Sequence, residues 1–220
     1  TDLRYEGKFI ISKKTSVHQL KDEYGFLTDR YEHVDKYGLI NSRRKTIFEP
    51  VFQSIIAFKK GFFVLEDNKW YIVDNKHFTK KETNYGSIER LTNNFFKFSR
   101  LGYGYYYGVL DSTGKECLAP RYKSIGEVNC YKVAVIDLDG KKGLTDEKYR
   151  ILVEPQYDYV SEFKKGRATV EKRNLQGIGG IIRGEIDTKG NFFEISKLTE
   201  YDISNGKAKQ LMTLSNGNIV

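Results

Sequence analysis

The sequence predicts an all-β protein made of tandem four-stranded repeats of about 36 residues, arranged propeller-like or, alternatively, as an open β-solenoid. Three regularities carry this reading. A Gly-to-Pro spacing of 12 occurs at Gly38 and Pro50, at Gly108 and Pro120, and at Gly143 and Pro155. An aromatic stands two residues after each proline: Phe52, Tyr122 and Tyr157. An Asn or Asp stands three residues after each of five openings at positions 38, 71, 108, 143 and 184, namely Asn41, Asp74, Asp111, Asp146 and Asp187.

The frame continues downstream of each proline. Five residues on stand Ile55, Ile125 and Val160, and eight on stand Phe58, Val128 and Phe163. Eleven on stand Gly61, Tyr131 and Gly166, each followed by a strand-like stretch. A second unit is degenerate, with Tyr71 in place of Gly after Trp70 and Thr83 in place of Pro. A fifth opens at Gly184 and fades after Ile195.

The first unit predicts strands at about 37–41, 45–49, 53–58 and 61–66. The Asn or Asp marks a hairpin turn, because its side chain accepts from its own backbone and a following Gly supplies positive φ. Proline fits a strand end or edge, where no ladder donor is needed. Short helices near 17–23 and 207–214 are only faintly indicated.

One such unit cannot bury its own apolar face, so units must stack. The whole of 1–220 reads as a single repeat domain: a partial repeat at 1–36, four repeats over 37–182, and a partial repeat with a tail over 183–220. Tyr24-Gly25-Phe26-Leu27 resembles Gly61-Phe62-Phe63-Val64, which makes the N-terminus look like a back half-unit. The C-terminal front half-unit would pair with it and close a ring of five blades, removing open edges.

These residues resemble the WG-repeat (KWG-repeat) family of bacterial β-repeat proteins. The resemblance is carried by Gly143-Leu144-Thr145-Asp146, by Pro155-Gln156-Tyr157-Asp158, and by Phe163-Lys164-Lys165-Gly166-Arg167-Ala168-Thr169-Val170. It spans about residues 36–195, with Tyr or Lys mostly standing where the family has Trp before Gly. It implies an interaction module, often within exported or envelope proteins of bacteria, and brings no catalytic residues with it.

Composition agrees with an ordered β-protein: 14% aromatic residues and 3 prolines in 220 positions. Two cysteines exclude a disulfide-dense scaffold. Spacing alone allows Cys117 and Cys130 to bond, but the frame places Cys117 at an apolar position and Cys130 in a turn. No run approaches the roughly 20 apolar residues of a spanning helix. The chain opens on Thr1 rather than a methionine, which reads as processing or truncation and is compatible with a removed export signal. The net charge of +8 is spread over short runs such as Lys80-Lys81, Lys141-Lys142 and Lys164-Lys165, several of them in predicted turns.

Chemistry-bearing constellations are missing from the sequence. His18, His33 and His77 lack partners at metal-ligand spacing. The recurrent turn carboxylates supply one ligand per unit where calcium takes six to eight oxygens. Gly177-Ile178-Gly179-Gly180 lacks the ending of a phosphate loop. No enzyme, metal or cofactor is expected.

Two insertions interrupt the period. One carries Tyr103, Tyr105, Tyr106 and Tyr107; the other carries Leu175 and Ile178. Loops on a rigid scaffold commonly carry function, and Tyr buries area at low entropic cost. These six are the candidate binding residues, while Gly38, Pro50, Trp70, Gly108, Pro120, Gly143, Pro155 and Gly184 are the structural frame. The expected role is a non-catalytic protein-interaction or scaffold module, within a bacterial envelope assembly if the family resemblance holds. A lectin-like, glycan-binding module is the alternative. Nucleic-acid binding through the basic surface is a third and weaker reading, since the basic residues lack aromatic interleaving.

Overall fold

The computed structural model describes residues 3–5, 9–92, 94–102, 104–173, 181–198 and 211–214. Among them, 21 strands form five antiparallel sheets, and within each sheet the strands lie side by side in sequence order. The first sheet contains β1 (Leu3–Tyr5), β2 (Phe9–Lys21), β3 (Leu27–Asn41) and β4 (Thr46–Phe52). The second contains β5 (Ser54–Phe58), β6 (Gly61–Glu66), β7 (Lys69–Asp74) and β8 (Lys80–Glu82). The third contains β9 (Tyr85–Thr92), β10 (Phe95–Arg100), β11 (Tyr107–Asp111) and β12 (Glu116–Tyr122). The fourth contains β13 (Ser124–Ile125), β14 (Val133–Leu138), β15 (Lys141–Asp146) and β16 (Ile151–Tyr157). The fifth contains β17 (Tyr159–Val160), β18 (Arg167–Arg173), β19 (Ile181–Asp187), β20 (Phe192–Leu198) and β21 (Leu211–Leu214).

The sheets are therefore phased half a unit away from the sequence repeat. Each joins the back half of one unit to the front half of the next. The chain leaves a sheet at the aromatic two residues past proline, because Phe52, Tyr122 and Tyr157 are the last residues of β4, β12 and β16. All three rings are buried.

Propeller-like closure is overturned. Strands β1 to β4 make a four-stranded sheet by themselves, and β17 to β21 make a five-stranded one. Among the described residues, no sheet draws strands from both ends of the chain, and none is closed or curled into a barrel. The first sheet takes its strands β1 and β2 from the N-terminal segment and none of its described strands from the C-terminal one.

The helix suggested near 17–23 is also corrected. Residues 9–21 are strand β2, and Asp22 and Glu23 begin the turn that follows it. Residues 211–214, within the second suggested helix, are strand β21. Pairing with a distant strand overrides weak local propensity. Tyr24-Gly25-Phe26 forms the tip of the β2–β3 hairpin instead of a back half-unit strand, and Ser12 of β2 is the residue opposite Gly38.

The chain forms two compact units, residues 1–104 with 110–115, and residues 105–109 with 116–220. In the first, Ile11, Leu39 and Phe52 pack against Phe62, Val64 and Val73. The other face of the second sheet sets Phe58, Phe63 and Trp70 against Ile88, Phe96, Phe98 and Leu110. Phe62 and Phe63 point to opposite faces and both are buried, which is why β6 reads as the unbroken run Gly61-Phe62-Phe63-Val64. In the second unit Val133, Leu144, Val153 and Tyr157 pack against Phe163, Ala168, Val170 and Ile186. Full burial of a large apolar side chain contributes about 1.5–3 kcal/mol, so these interlayer contacts are the main stabilising term.

The five predicted hairpin turns are present, and each uses its Asn or Asp in the expected way. Asn41 Oδ1 accepts from the Arg43 and Lys45 amides, and Asp146 Oδ1 from those of Lys148 and Arg150. Asp111 and Asp187 repeat the pattern with Thr113 and Lys115, and with Lys189 and Asn191. The residue three past the Asn or Asp has positive φ in four turns: Arg44, Gly114, Tyr149 and Gly190. The degenerate second unit spends one more residue, so positive φ falls on Phe78 and His77 donates its amide to Asp74 at 2.7 Å.

The Gly-to-Pro spacing has a direct cause. Tyr37 lies opposite Phe52 but Leu39 lies opposite Phe48, so two residues of β3 span four of β4. Lys142 with Tyr157 and Leu144 with Val153 repeat this bulge in β15 and β16. Pro50 and Pro155 sit in the bulge of an outer strand, where no ladder donor is missed. A methyl group at Gly38 would lie 2.6 Å from the Phe48 carbonyl oxygen, so only glycine admits the bulged backbone. The degenerate unit supplies the control. Tyr71, Ile72 and Val73 pair without a shift with Glu82, Lys81 and Lys80, and Thr83 donates its amide to the Trp70 carbonyl at 3.0 Å. In this second unit the bulge, the glycine and the proline are all missing, while in the fifth Gly184 pairs with Glu194 without a shift and no proline follows.

Candidate functional site

Among the described residues, the largest group of exposed apolar side chains lies on a projection that the repeat frame does not anticipate. β1 pairs only with Phe9, Ile10 and Ile11 of β2, and β4 reaches no further along β3 than Tyr37. Residues 12–21 and 27–36 run on as a two-stranded ribbon, paired in unbroken register from Lys13 opposite Tyr37 to Gln19 opposite Tyr31. Asp22 closes its tip with the same device as the repeat turns. Its Oδ1 accepts from the Tyr24 and Phe26 amides, and Gly25 has φ 88°. The signal was present in the sequence, since Asp22 and Gly25 have the spacing of Asp111 and Gly114.

The ribbon carries Val17, Leu20, Tyr24, Phe26, Leu27 and Tyr31 in the open, with Tyr24 78%, Phe26 71% and Tyr31 58% exposed. An exposed apolar group of this size is the usual mark of an interaction surface. Its base is held by Lys13 and Asp35, joined at 2.7 Å, with Thr15 Oγ1 donating to the same carboxylate. The Asp35 carboxyl is lowered, chiefly by the Lys13 hydrogen bond and then by that of Thr15.

The tyrosine insertion is only partly brought together. Tyr105 is 87% exposed. Tyr106 is half-buried and donates its hydroxyl to Asp139 at 3.2 Å, and Lys123 pairs with that same carboxylate. Tyr107 is half-buried within β11. Tyr103, Leu175 and Ile178 lie outside the described residues.

A cleft of about 510 Å³ opens in the second unit, lined by Tyr131, Val135, Val160 and Phe163 with Lys142 and Glu162 at its border. The Tyr131 and Phe163 rings are 6.2 Å apart, and the Tyr131 hydroxyl accepts the Lys165 amide, which fixes the ring. Sequence reasoning missed this cleft because its walls come from two sheets.

Several of the basic residues are held in ion pairs. Lys80 pairs with Glu66, Lys141 with Asp158 and Lys142 with Asp137. Arg121, Arg167 and Arg183 pair with Glu154, Glu185 and Glu171. Cys117 and Cys130 are not bonded to each other; Cys130 is exposed and Cys117 Sγ lies 3.4 Å from the Val109 carbonyl oxygen. Among the described residues, no group of three or more His, Cys, Asp and Glu side chains is placed to hold a metal ion, and no helix is long and apolar enough to cross a membrane.

Two stretches of the chain, residues 37–70 and 143–175, match the family model described as WG containing repeat. This supports the WG-repeat assignment. The matched stretches are the first and fourth units of the frame, both of which carry the Gly–Pro bulge. No curated protein matches the chain. Among solved structures, that of Hsv2p from Kluyveromyces lactis is similar over 63% of this chain, at 13% identity and a TM-score of 0.29. The chain spans about half the length of that protein, 49% of it.

Proposed function

We propose that this WG-repeat chain is a non-catalytic protein-interaction module whose principal contact surface is the β2–β3 ribbon. The observation that carries the reading is the set of exposed apolar side chains, from Val17 to Tyr31, on a ribbon extending past its own sheet. A two-stranded ribbon is marginal by itself, and added strands or a packed face stabilise it. Tyr105, beside the Tyr106–Asp139 bond, offers a second and smaller contact. The finer assignment, a subunit of an exported bacterial envelope assembly, rests on the family resemblance alone.

The test is cross-linking and affinity capture from source cells with three forms of the chain: intact, with residues 20–28 replaced by a two-residue turn, and with Tyr105 and Tyr106 changed to Ala. A specific protein partner lost with the ribbon tip supports the reading. Partners retained by both variants would sink it.

The cleft favours one second reading, a glycan-binding site in which Tyr131 and Phe163 stack on a sugar. A glycan array with hits abolished by Phe163→Ala supports that reading, and an array without hits rejects it.

A further inference from the structure

We infer that the chain assembles head-to-tail with further copies of itself, the Tyr24-Gly25-Phe26 tip of one copy seating in the cleft between the fourth and fifth sheets of the next. The inference rests on the interaction-module reading and names the partner of the ribbon.

The cleft exists because the fourth sheet lacks the aromatic filling of the second. The β6–β7 and β14–β15 hairpins close with the same two-residue turn, Asp67-Asn68 and Asp139-Gly140, all four residues having positive φ. Counted from those turns, Trp70 corresponds to Lys142, Leu65 to Asp137 and Phe63 to Val135. In the second sheet Leu65 lies opposite Trp70, Phe63 is stacked on Phe58 at 4.4 Å, and Trp70 and Phe63 are buried in one cluster with Ile88 of the third. In the fourth, Lys142 lies opposite Asp137 and pairs with it at 3.1 Å. An ion pair has replaced an indole and a leucine, and a valine has replaced a phenylalanine. Val160, five residues past Pro155 as Ile88 is five past Thr83, lines the opening that results. Protein interiors are close-packed, so a gap of about 510 Å³ between Val135, Tyr131, Val160 and Phe163 is room for side chains that these sheets do not themselves supply.

The ribbon tip has the converse property. Tyr24 and Phe26 stand exposed on a turn that Asp22 and Gly25 fix. Past its last residue paired with β1, strand β2 runs on from Ser12 to Lys21, roughly 30 Å at the rise of a strand. The charges around the two features are complementary. Lys21, Asp22 and Glu23 precede the tip rings and read plus, minus, minus, while Glu162, Lys164 and Lys165 flank Phe163 and read minus, plus, plus; all six are exposed. Lys165 is tied to the cleft wall, since its amide donates to the Tyr131 hydroxyl. Opposite charges around a buried apolar contact steer docking and reject wrong partners. Tip and cleft are different surfaces of one chain, so the contact is heterologous and propagates into open chains or closed rings instead of stopping at a dimer.

The experiment is sedimentation equilibrium of the purified intact chain across the micromolar range, together with two variants. Tyr24→Ser with Phe26→Ser removes the tip rings and leaves the cleft. Asp137→Leu with Lys142→Trp copies the Leu65–Trp70 pair, fills the cleft and leaves the tip. The expected result is concentration-dependent oligomers larger than a dimer for the intact chain, a monomer for each variant alone, and a one-to-one dimer when the two variants are mixed. A bulky maleimide on the exposed Cys130, which lines the cleft, blocks the same site and takes the place of the filled variant if that one does not fold. An intact chain that stays monomeric at every concentration overturns the self-assembly, and so does an association that survives loss of the tip rings. An intact chain that associates while the mixed variants stay monomeric overturns the site. The interaction-module reading is decided separately, by whether the capture experiment yields a different protein through the ribbon, and the sugar reading of the cleft by the glycan array.

Discussion

Gly143 and Pro155, twelve residues apart in sequence, meet across the β15–β16 pair so closely that a methyl group at Gly143 would lie 2.8 Å from the proline nitrogen. The same methyl would lie 2.5 Å from the Val153 carbonyl oxygen. Both neighbours are backbone atoms of a bulge and cannot swing away. Gly143→Ala is expected to cost about 1–3 kcal/mol through forced backbone displacement. Urea unfolding checks this, and an unchanged midpoint would show that the bulge is softer than its geometry indicates.

The second unit makes the mirror-image prediction. Thr83 stands at the proline position, but its amide donates to the Trp70 carbonyl at 3.0 Å and its hydroxyl to the same oxygen at 2.8 Å. Thr83→Pro removes both donors from a regular ladder. Restoring the repeat consensus here should therefore destabilise, by about 1–3 kcal/mol. A thermal melt at or above that of the parent would contradict the assignment of proline to bulged strands only.

Thr145 carries a hydroxyl that is fully buried and has no hydrogen-bond partner among the described residues. Other units place Val73, Leu110 and Ile186 at this position, all buried. Thr145→Val keeps the shape and removes the unsatisfied group, so it should stabilise by about 1 kcal/mol or more. A lower melting temperature for the variant would mean that the hydroxyl is satisfied in solution.

Acid should unfold the repeat through its turns. The His77 amide foremost, with those of Thr79 and Lys76, holds the Asp74 carboxyl down at about 2. At Asp111, Asp146 and Asp187 burial pushes the carboxyl up, but hydrogen bonds from their own turns outweigh it and the net direction is down. A folded value below the unfolded one means that the stabilisation is complete above the unfolded carboxylate range, near pH 4. It is lost as pH falls through the folded values. Melting temperature is therefore expected to fall between about pH 4 and pH 2. Asp74→Asn, which copies the uncharged Asn41 of the first unit, should flatten that fall. A fall of unchanged steepness would assign the acid sensitivity elsewhere.

The individual strands were legible because their signals are local. The anticipated strands near 45–49, 53–58 and 61–66 correspond to β4, β5 and β6, and each turn carboxylate bonds amides two to five residues away. The candidate surface was legible only in part. Tyr105 lies on an anticipated insertion, whereas Tyr24, Phe26 and Tyr31 were read as the remnant of a repeat. Gly25 followed by apolar residues looks like a back half-unit until the pairing of β2 with β3 makes it a turn.

The amino-acid sequence by itself determined the period, the turn chemistry, the aromatic plug after each proline, and the pairing of glycine with proline at a spacing of twelve. All of these depend on residues within one hairpin of each other, where steric and hydrogen-bonding rules act without reference to the rest of the chain. Only the tertiary structure decided which half-units share a sheet, that the described strands near the two chain ends lie in separate sheets, and that β2 and β3 run on past their pairing with β1 and β4. Those outcomes depend on competition among distant strands for the same sheet positions. In the first sheet β1 and β2 occupied the places that ring closure would have given to a strand from the other end.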